Sequence, residues 1–305
     1  MGKYIIKRIC LAILTIWVVA TITFLLMNLV PGGPFLSDKA ISPEAKAALE
    51  AKYGLDKSLG EQYVTYMIDA FHGDFGESLN QRGRTVMDII SSKFPVSAGV
   101  GIRALIVSIC VGVPLGVIAA HKRGSFWDRF LSVIATCGIA VPGFVFCIVL
   151  LYSFGVKWRI LPTYGLSEWK SYIMPVMALS IYPISHIMRL MRSSMLDIIG
   201  QDYMRTAKAK GVNQKVCLFK HALRNAVLPV ITYVGPMIAY ILVGSFVVER
   251  IFAIPGLGGE FIKAVNGRDY MMIMGTTIFL ATLVVIMNVI IDIVYKIVDP
   301  RIKLQ

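Results

Sequence analysis

Six long apolar runs, with almost no charged side chains inside them, recur along the chain. They cover Ile9–Val30, Ala104–Ala120, Phe130–Val156, Ser171–Met188, Asn225–Val248 and Tyr270–Ile291. A helix needs about 20 apolar residues to cross the hydrocarbon core of a bilayer, and each run is close to that length. The pattern therefore predicts an all-α membrane protein with six transmembrane helices. Pro175 and Pro183 fall inside the fourth run, and we expect them to interrupt that helix.

The polar segment between the first two runs predicts two further helices. Ser42 and Pro43 form an N-cap and a first helical position, and the helix that they open is expected to stop before Gly54. A second helix is expected over Glu61–Phe71, where Tyr63, Met67 and Ala70 recur at helical spacing. This segment is therefore predicted to be a small ordered subdomain.

The polar segment at residues 189–224 is far longer than a turn between helices needs. Asp202 can cap a first short helix that Gly211 ends. Asn213 can cap a second one, with Val216, Phe219, Ala222 and Leu223 on one apolar face. Two basic amphipathic helices joined at a glycine indicate a docking element. By composition alone, the anionic surface of a bilayer is a better expectation for its partner than a protein.

The charged residues are unevenly divided between the two sides of such a six-span chain. If the N-terminus is cytoplasmic, residues 1–8, 121–129, 189–224 and 292–305 lie inside and carry 17 basic residues against four acidic ones, with Asp292 at the helix border set aside. The outer segments carry 13 of each sign. Basic residues accumulate in cytoplasmic loops, so both termini are predicted to be cytoplasmic. The net charge of +13 then requires no nucleic-acid partner.

Composition and motifs argue against catalysis. The chain is 56% hydrophobic and only 16% charged, and its mean hydropathy is +0.70. Its five cysteines show no metal-ligand spacing, and its four histidines are scattered along the sequence. The G-x-x-x-x-G-K-[ST] phosphate loop is absent from the sequence, so we expect no ATP hydrolysis of the P-loop type. Few ionisable residues fall inside the apolar runs, which disfavours an ion-coupled carrier. Gly112 and Gly116 form a pair suited to close helix packing.

A longer motif lies within residues 189–224. Leu196 is followed by Arg205-Thr206-Ala207, then Lys208-Ala209-Lys210, Gly211-Val212, Leu218 and Leu223-Arg224. This order resembles the EAA loop of the permease subunits of binding-protein-dependent ATP-binding-cassette (ABC) importers. Arg205 stands where many members have glutamate, and Arg224 where many have proline. In both departures the chain resembles members of the peptide and nickel branch. The sequence His221-Ala222-Leu223-Arg224-Asn225 also resembles that branch.

Other motifs extend the resemblance over nearly the whole chain. They are Pro31-Gly32-Gly33-Pro34, Tyr53-Gly54-Leu55-Asp56, Gly73-Asp74-Phe75-Gly76-Glu77-Ser78, Pro142 with Phe144, Ile254-Pro255-Gly256-Leu257-Gly258, Arg268-Asp269-Tyr270 and Asp299-Pro300. Together they are similar to the first of the two permeases in dipeptide and oligopeptide importers.

The resemblance implies a type I importer permease fold with one extra N-terminal helix. We expect an N-terminal transmembrane helix at 1–30, an external subdomain at 31–98 and a five-helix permease core at 99–305, in a bacterial inner membrane. The resemblance now favours an ATPase over lipid as the partner of residues 189–224, with Ala207 on the docking face. The coupling residues that it implies are Arg205, Thr206, Ala207, Ala209, Gly211, Val212, Leu218, Leu223 and Arg224.

The implied partners are a second related permease, two ABC ATPase subunits, an extracytoplasmic solute-binding protein and the lipid bilayer. No cofactor is expected in this chain, because ATP and Mg²⁺ would be bound by the ATPases. Di- and oligopeptides are the expected substrates. Nickel chelates and glutathione-like compounds stay open as alternatives on the same architecture, and an ion-coupled secondary carrier is the alternative from a different class.

Overall fold

The computed structural model describes residues 2–30, 33–34, 42–213, 216–242 and 244–298. Within these ranges the regular secondary structure is helical, apart from one isolated antiparallel bridge between Glu77 and Thr85, and turns and irregular segments connect the helices. The α-helices are α1 Gly2–Leu29, α2 Pro43–Lys52, α3 Leu59–Phe71, α4 Val86–His121, α5 Phe126–Ala140, α6 Gly143–Leu150, α7 Ile173–Ile199, α8 Asp202–Ala209, α9 Leu223–Ala226, α10 Leu228–Leu242, α11 Phe246–Ile251, α12 Leu257–Asn266 and α13 Tyr270–Val298. The motif residues Pro31, Gly32, Asp299 and Pro300 lie outside the described ranges.

Among the described residues, four helices are long and apolar enough to cross a membrane, and the number rises to six if each of two bent helix pairs forms one span. The four are Ile6–Leu29, Val86–His121, Trp169–Ile199 and Tyr270–Ile293. The bent pairs are Phe126–Ala140 with Gly143–Lys157, and Cys217–Ala226 with Leu228–Leu242. Each predicted run thus overlaps one of these helices or pairs, and the count of six depends on the bent pairs.

The third and fourth runs differ from the sequence prediction in where the helix breaks. The third bends by 105° at Val141 and Pro142, because the residue before a proline avoids the helical conformation; Val141 is extended, with φ −81° and ψ 127°. The predicted interruption of the fourth was wrong. Pro183 lies inside the continuous helix α7, and Pro175 lies in its first turn, where its missing N–H costs no helical hydrogen bond.

The chain forms two compact units. The first contains the described parts of Met1–Val96 and Pro255–Val289, and the second those of Ser97–Ile254 and Ile290–Ile302. The predicted segments 1–30, 31–98 and 99–305 were defined by their place relative to a membrane and not by compactness. That division stays a prediction.

The first unit joins the predicted subdomain helices to α1. The Ser42 hydroxyl accepts from the Ala45 N–H at the start of α2, and Ser58 forms a capping box with Glu61 at the start of α3. Tyr63, which packs with Met67 and Ala70 against the core, shares a 2.7 Å hydrogen bond with Thr21 of α1. Both predicted helices are confirmed, the second beginning two residues early.

A polar clasp holds the segment Ser78–Gln81 against the start of α13. Asp269, only 2% exposed, accepts hydrogen bonds from the Ser78 hydroxyl, from the Asn80 N–H at 3.1 Å and from the Met272 N–H at 3.0 Å. Beside it, the Glu260 carboxylate accepts from Gln81 at 3.0 Å and from Lys263 at 2.9 Å. The hydrogen bond between Ser78 and Asp269 thereby connects two of the motifs listed above, Gly73–Ser78 and Arg268–Tyr270.

The second unit is built around α7, which packs against α5, α6 and α10. Its core is rich in methionine, with Met188, Met191 and Met195 all at most 2% exposed. Gly116 allows α4 to approach this helix closely, because a Cβ on it would lie 2.6 Å from the Met191 Cβ. Gly112 meets Ile187 in the same way at 2.9 Å, so the predicted packing role of the glycine pair is confirmed.

Candidate functional site

The coupling segment, residues 189–224, is built from the end of α7, the helix α8, the turn at Gly211 and a π-helix over Cys217–Ala222. Asp202 opens α8, and its carbonyl accepts a 3.1 Å hydrogen bond from the Thr206 hydroxyl. An acidic residue in the first turn suits the positive end of the helix dipole. Lys215 and Gln214 lie outside the described residues.

Gly211 ends the first helical part in a left-handed conformation, with φ +78°. The Lys210 N–H donates to the Thr206 carbonyl at 3.0 Å, and the Val212 N–H to the Ala207 carbonyl at 3.3 Å. Apart from its two chain neighbours, no described residue has an atom within 4 Å of the position that a Cβ on Gly211 would take. Glycine is therefore required by the backbone angle and not by crowding, as its predicted role as a helix stop demands.

The inner side of the coupling segment is apolar. Met204 and Cys217 are each 1% exposed, Leu218 is 9% exposed, and all three belong to the cluster formed with Met191 and Met195 of α7. Three further predicted coupling residues, Ala207, Val212 and Leu223, pack partly buried against the same cluster. Ala207 is half-buried against this cluster, and its place on the docking face stays a prediction.

The outer side carries the remaining five predicted coupling residues, which are Arg205, Thr206, Ala209, Gly211 and Arg224; all five are exposed. Arg205 and Asp202 are 3.5 Å apart at their closest charged atoms, but their side chains are 77% and 95% exposed. An ion pair this open to solvent contributes little to stability. The nine residues thus divide into an anchoring set and a solvent-facing set.

The face of the second helical part differs from the prediction. Ala222 is buried and Leu223 partly buried, but Phe219 is 62% exposed and Val216 is 41% exposed. Cys217 and Leu218 are buried in their place. The reason is the π-helix, whose wider turn places different residues on one face from those that α-helical spacing selects.

Sequence reasoning missed two polar connections of the coupling segment. The Asn225 side-chain amide donates a 3.0 Å hydrogen bond to the Tyr203 hydroxyl, which connects α8 to the helix after the segment. The buried Asp128 carboxylate accepts from two nitrogens of Arg192, at 2.6 and 2.9 Å, and from the Gly124 N–H at 2.9 Å. Asp128 is the only acidic residue of the short predicted loop 121–129, and its isolation among basic residues was the sequence signal for an ion pair.

Comparison with known proteins covers both halves of the chain. Residues 112–304 match the family described as binding-protein-dependent transport system inner membrane component, and residues 1–101 match its N-terminal companion family. The chain belongs to this family. It is therefore a multi-pass membrane permease of the ABC importer class, as the motif around Gly211 indicated, and the permease is not itself the catalytic component.

Curated relatives are similar over their full length. The dipeptide transport system permease protein DppB of Bacillus subtilis is 42% identical over 100% of this chain and 99% of its own length. The oligopeptide transport system permease protein OppB of Haemophilus influenzae is 40% identical over 99% of this chain and 100% of its own length. DppB of Lactococcus lactis is 37% identical over 100% of both.

Solved structures share the fold at low sequence identity. An inward-facing MetNI methionine ABC transporter structure matches with a TM-score of 0.58 and 15% identity, over 69% of this chain and 96% of that one. An amino acid ABC transporter structure matches with a TM-score of 0.51 and 16% identity, over 71% and 95%. The type I importer fold predicted from the motifs is thereby confirmed.

Proposed function

We propose that this chain is one of two different permease subunits in an ATP-driven importer of di- and oligopeptides. An extracytoplasmic binding protein delivers the substrate, and two separate ATPase subunits bind ATP and Mg²⁺ and hydrolyse the nucleotide. Both termini lie in the cytoplasm. Support for the substrate class comes from the full-length similarity to permeases named for dipeptide and oligopeptide transport.

The division of the coupling segment carries the mechanism. Met204 and Leu218 fix the segment to α7 from within, while Arg205, Thr206 and Ala209 remain open to a partner. A segment fixed in this way can pass a displacement of its outer face to the helices of its own unit. In the proposed cycle, closure of the ATPases on ATP draws the two coupling segments of the permease pair together and turns the cavity outward, and hydrolysis returns it inward. ATP and the loaded binding protein therefore bias the same two-state permease pair.

Gly211 offers the sharpest test of this docking role. Gly211→Val introduces a β-branched residue at φ +78°, which costs on the order of 1–2 kcal/mol or more and redirects the chain between α8 and the π-helix. Gly211→Asn is the matched control, since asparagine tolerates the left-handed region and the surrounding space is open. We expect the valine variant to insert in the membrane but to lose co-purification with the ATPases, and the asparagine variant to retain it.

Reconstitution tests the function as a whole. The chain alone in liposomes should neither hydrolyse ATP nor accumulate a labelled peptide under a proton gradient. Addition of the second permease, both ATPases and the binding protein should give ATP-dependent uptake. A panel of dipeptides, longer peptides, glutathione and chelated nickel then identifies the substrate, and uptake of nickel without any peptide uptake would contradict the proposal. Gradient-driven uptake by the chain alone would instead indicate a secondary carrier.

A further inference from the structure

The α4–α5 turn, defined here as residues 121–130, runs from the end of α4 into the first residues of α5, and its exposed side carries only positive charge. Lys122, Arg123 and Arg129 are exposed, and none of the three forms an ion pair with a carboxylate in the described part of the chain. Asp128, the one acidic residue of the turn, is 4% exposed and is neutralised by Arg192 of α7. The ion pair thus removes the negative charge from the surface and fixes the turn to α7.

Three aromatic rings lie on the same turn and are also exposed. Phe126, Trp127 and Phe130 are 72%, 51% and 45% exposed, and their ring centroids are 5.8 to 6.2 Å apart. The Lys122 Nζ lies 5.8 Å from the centroid of the Trp127 ring. A cluster of exposed aromatic rings beside cations is typical of side chains at the boundary between lipid headgroups and acyl chains.

A recess of about 330 Å³ adjoins Arg123, one of the three cations. His121 and Arg123 contribute to its lining, and the rest of its wall is mostly apolar, including Leu196, Ile199 and Leu218. This combination suits a phosphate group that carries an apolar or glycerol substituent better than a bare inorganic anion.

We propose that the turn at residues 121–130 binds an anionic phospholipid. The phosphate lies among Lys122, Arg123 and Arg129, and the three aromatic rings lie at the level where the acyl chains begin. A free phosphate would satisfy the cations but gives no reason for the exposed rings, so a lipid is the occupant that the surface fits. The assignment of this site to the cytoplasmic leaflet rests on the proposed topology of the importer.

The test uses the complete transporter in nanodiscs, with Trp17, Trp158 and Trp169 changed to phenylalanine so that Trp127 is the only tryptophan of this chain. The tryptophans of the partner subunits are likewise changed to phenylalanine. Nanodiscs contain either brominated phosphatidylglycerol or brominated phosphatidylcholine at the same mole fraction. We expect the anionic lipid to quench Trp127 more strongly. Lys122→Gln, Arg123→Gln and Arg129→Gln together should abolish that preference.

A matched triple variant carries the control. Lys57→Gln, Arg82→Gln and Lys157→Gln remove the same charge from exposed positions elsewhere, and they should leave the preference intact. Equal quenching by the two lipids would overturn the proposal. Quenching by neither lipid would also overturn it, because a protein subunit would then cover the rings. Displacement of the anionic lipid by soluble glycerol phosphate would overturn it as well. ATP-dependent peptide uptake is measured separately in the same particles, so a failure of the proposed function remains distinct from a failure of the lipid site.

Discussion

The polar clasp of the first unit and the coupling segment of the second unit are held in place by different forces. The clasp depends on buried carboxylates, with Asp269 2% and Glu260 6% exposed, and each receives several hydrogen bonds. The coupling segment depends on apolar side chains such as Met204, and its ion pair between Arg205 and Asp202 is open to solvent. Buried polar groups demand fixed partners, whereas apolar contacts tolerate small shifts without a lost hydrogen bond.

The two kinds of stabilisation differ in how much movement each region tolerates. Hydrogen bonds to Asp269 have one geometry, and any displacement of Ser78 removes one of the three donors of a buried carboxylate. Methionine side chains adapt their rotamers at little cost, so the cluster around Met191 and Met204 can repack while it stays buried. A fixed clasp in the first unit and an adaptable coupling segment in the second are consistent with the proposed transport cycle.

The largest effect is expected for Asp269→Ala. The variant leaves the Ser78 hydroxyl and the Asn80 and Met272 N–H groups without their acceptor, at a cost of about 3 kcal/mol or more in the free energy of unfolding. Thermal unfolding of the solubilised chain measures the loss. Asp269→Asn keeps one oxygen acceptor and should lose less. A melting temperature unchanged in the alanine variant would show that the clasp is not what stabilises the first unit.

A smaller effect is expected for Met204→Ala. Truncation of this buried side chain creates a cavity beneath α8 and should cost about 2–3 kcal/mol, felt mainly as faster amide hydrogen exchange in residues 202–213. The control is Arg205→Ala, which removes only an exposed ion pair worth about 1 kcal/mol at most. If the arginine variant exchanges faster than the methionine variant, the segment is held by charge and the comparison fails.

The smallest effect concerns Lys52, whose exposed pair with Glu77 is the counterpart of the Arg205 pair in the first unit. The 3.0 Å hydrogen bond to Glu77 raises the pKa of Lys52 above 10.5, so the contribution is complete below pH 10.5 and is lost as the pH rises through the higher folded value. Competitive acetylation against pH should give a raised midpoint for Lys52. Glu77→Gln should return it towards 10.5. An identical midpoint in both proteins would refute the pairing.

Local signals in the sequence were sufficient wherever a neighbouring residue decides the structure. Ser42 and Gly211 each act on a few adjacent peptide groups, and their predicted roles as cap and stop have the expected geometry. The break at Pro142 is local too, but the apolar pattern continues across it, so the sequence predicted one uninterrupted run over Phe130–Val156 where the structure has two helices bent by 105°.

The remaining features depend on residues that are far apart in sequence. Asp128 and Arg192 are 64 positions apart, and Ser78 and Asp269 are 191 apart, so composition identifies the groups without their partners. The π-helix at Cys217–Ala222 has no sequence rule of its own, and for this reason the buried face of the second helical part was assigned to the wrong residues.

The close approach of α4 to α7 also constrains how this sequence can change. An alanine at Gly116 would place its methyl group 2.6 Å from Met191, so even the smallest substitution forces two backbones apart. On the opposite side of the same helix, Val111 and Ile118 are 38% and 43% exposed within this chain and can exchange for other apolar residues at little cost. Sequence drift in α4 is therefore confined to one side of the helix, and a saturation library should show tolerated and rejected positions alternating with helical period.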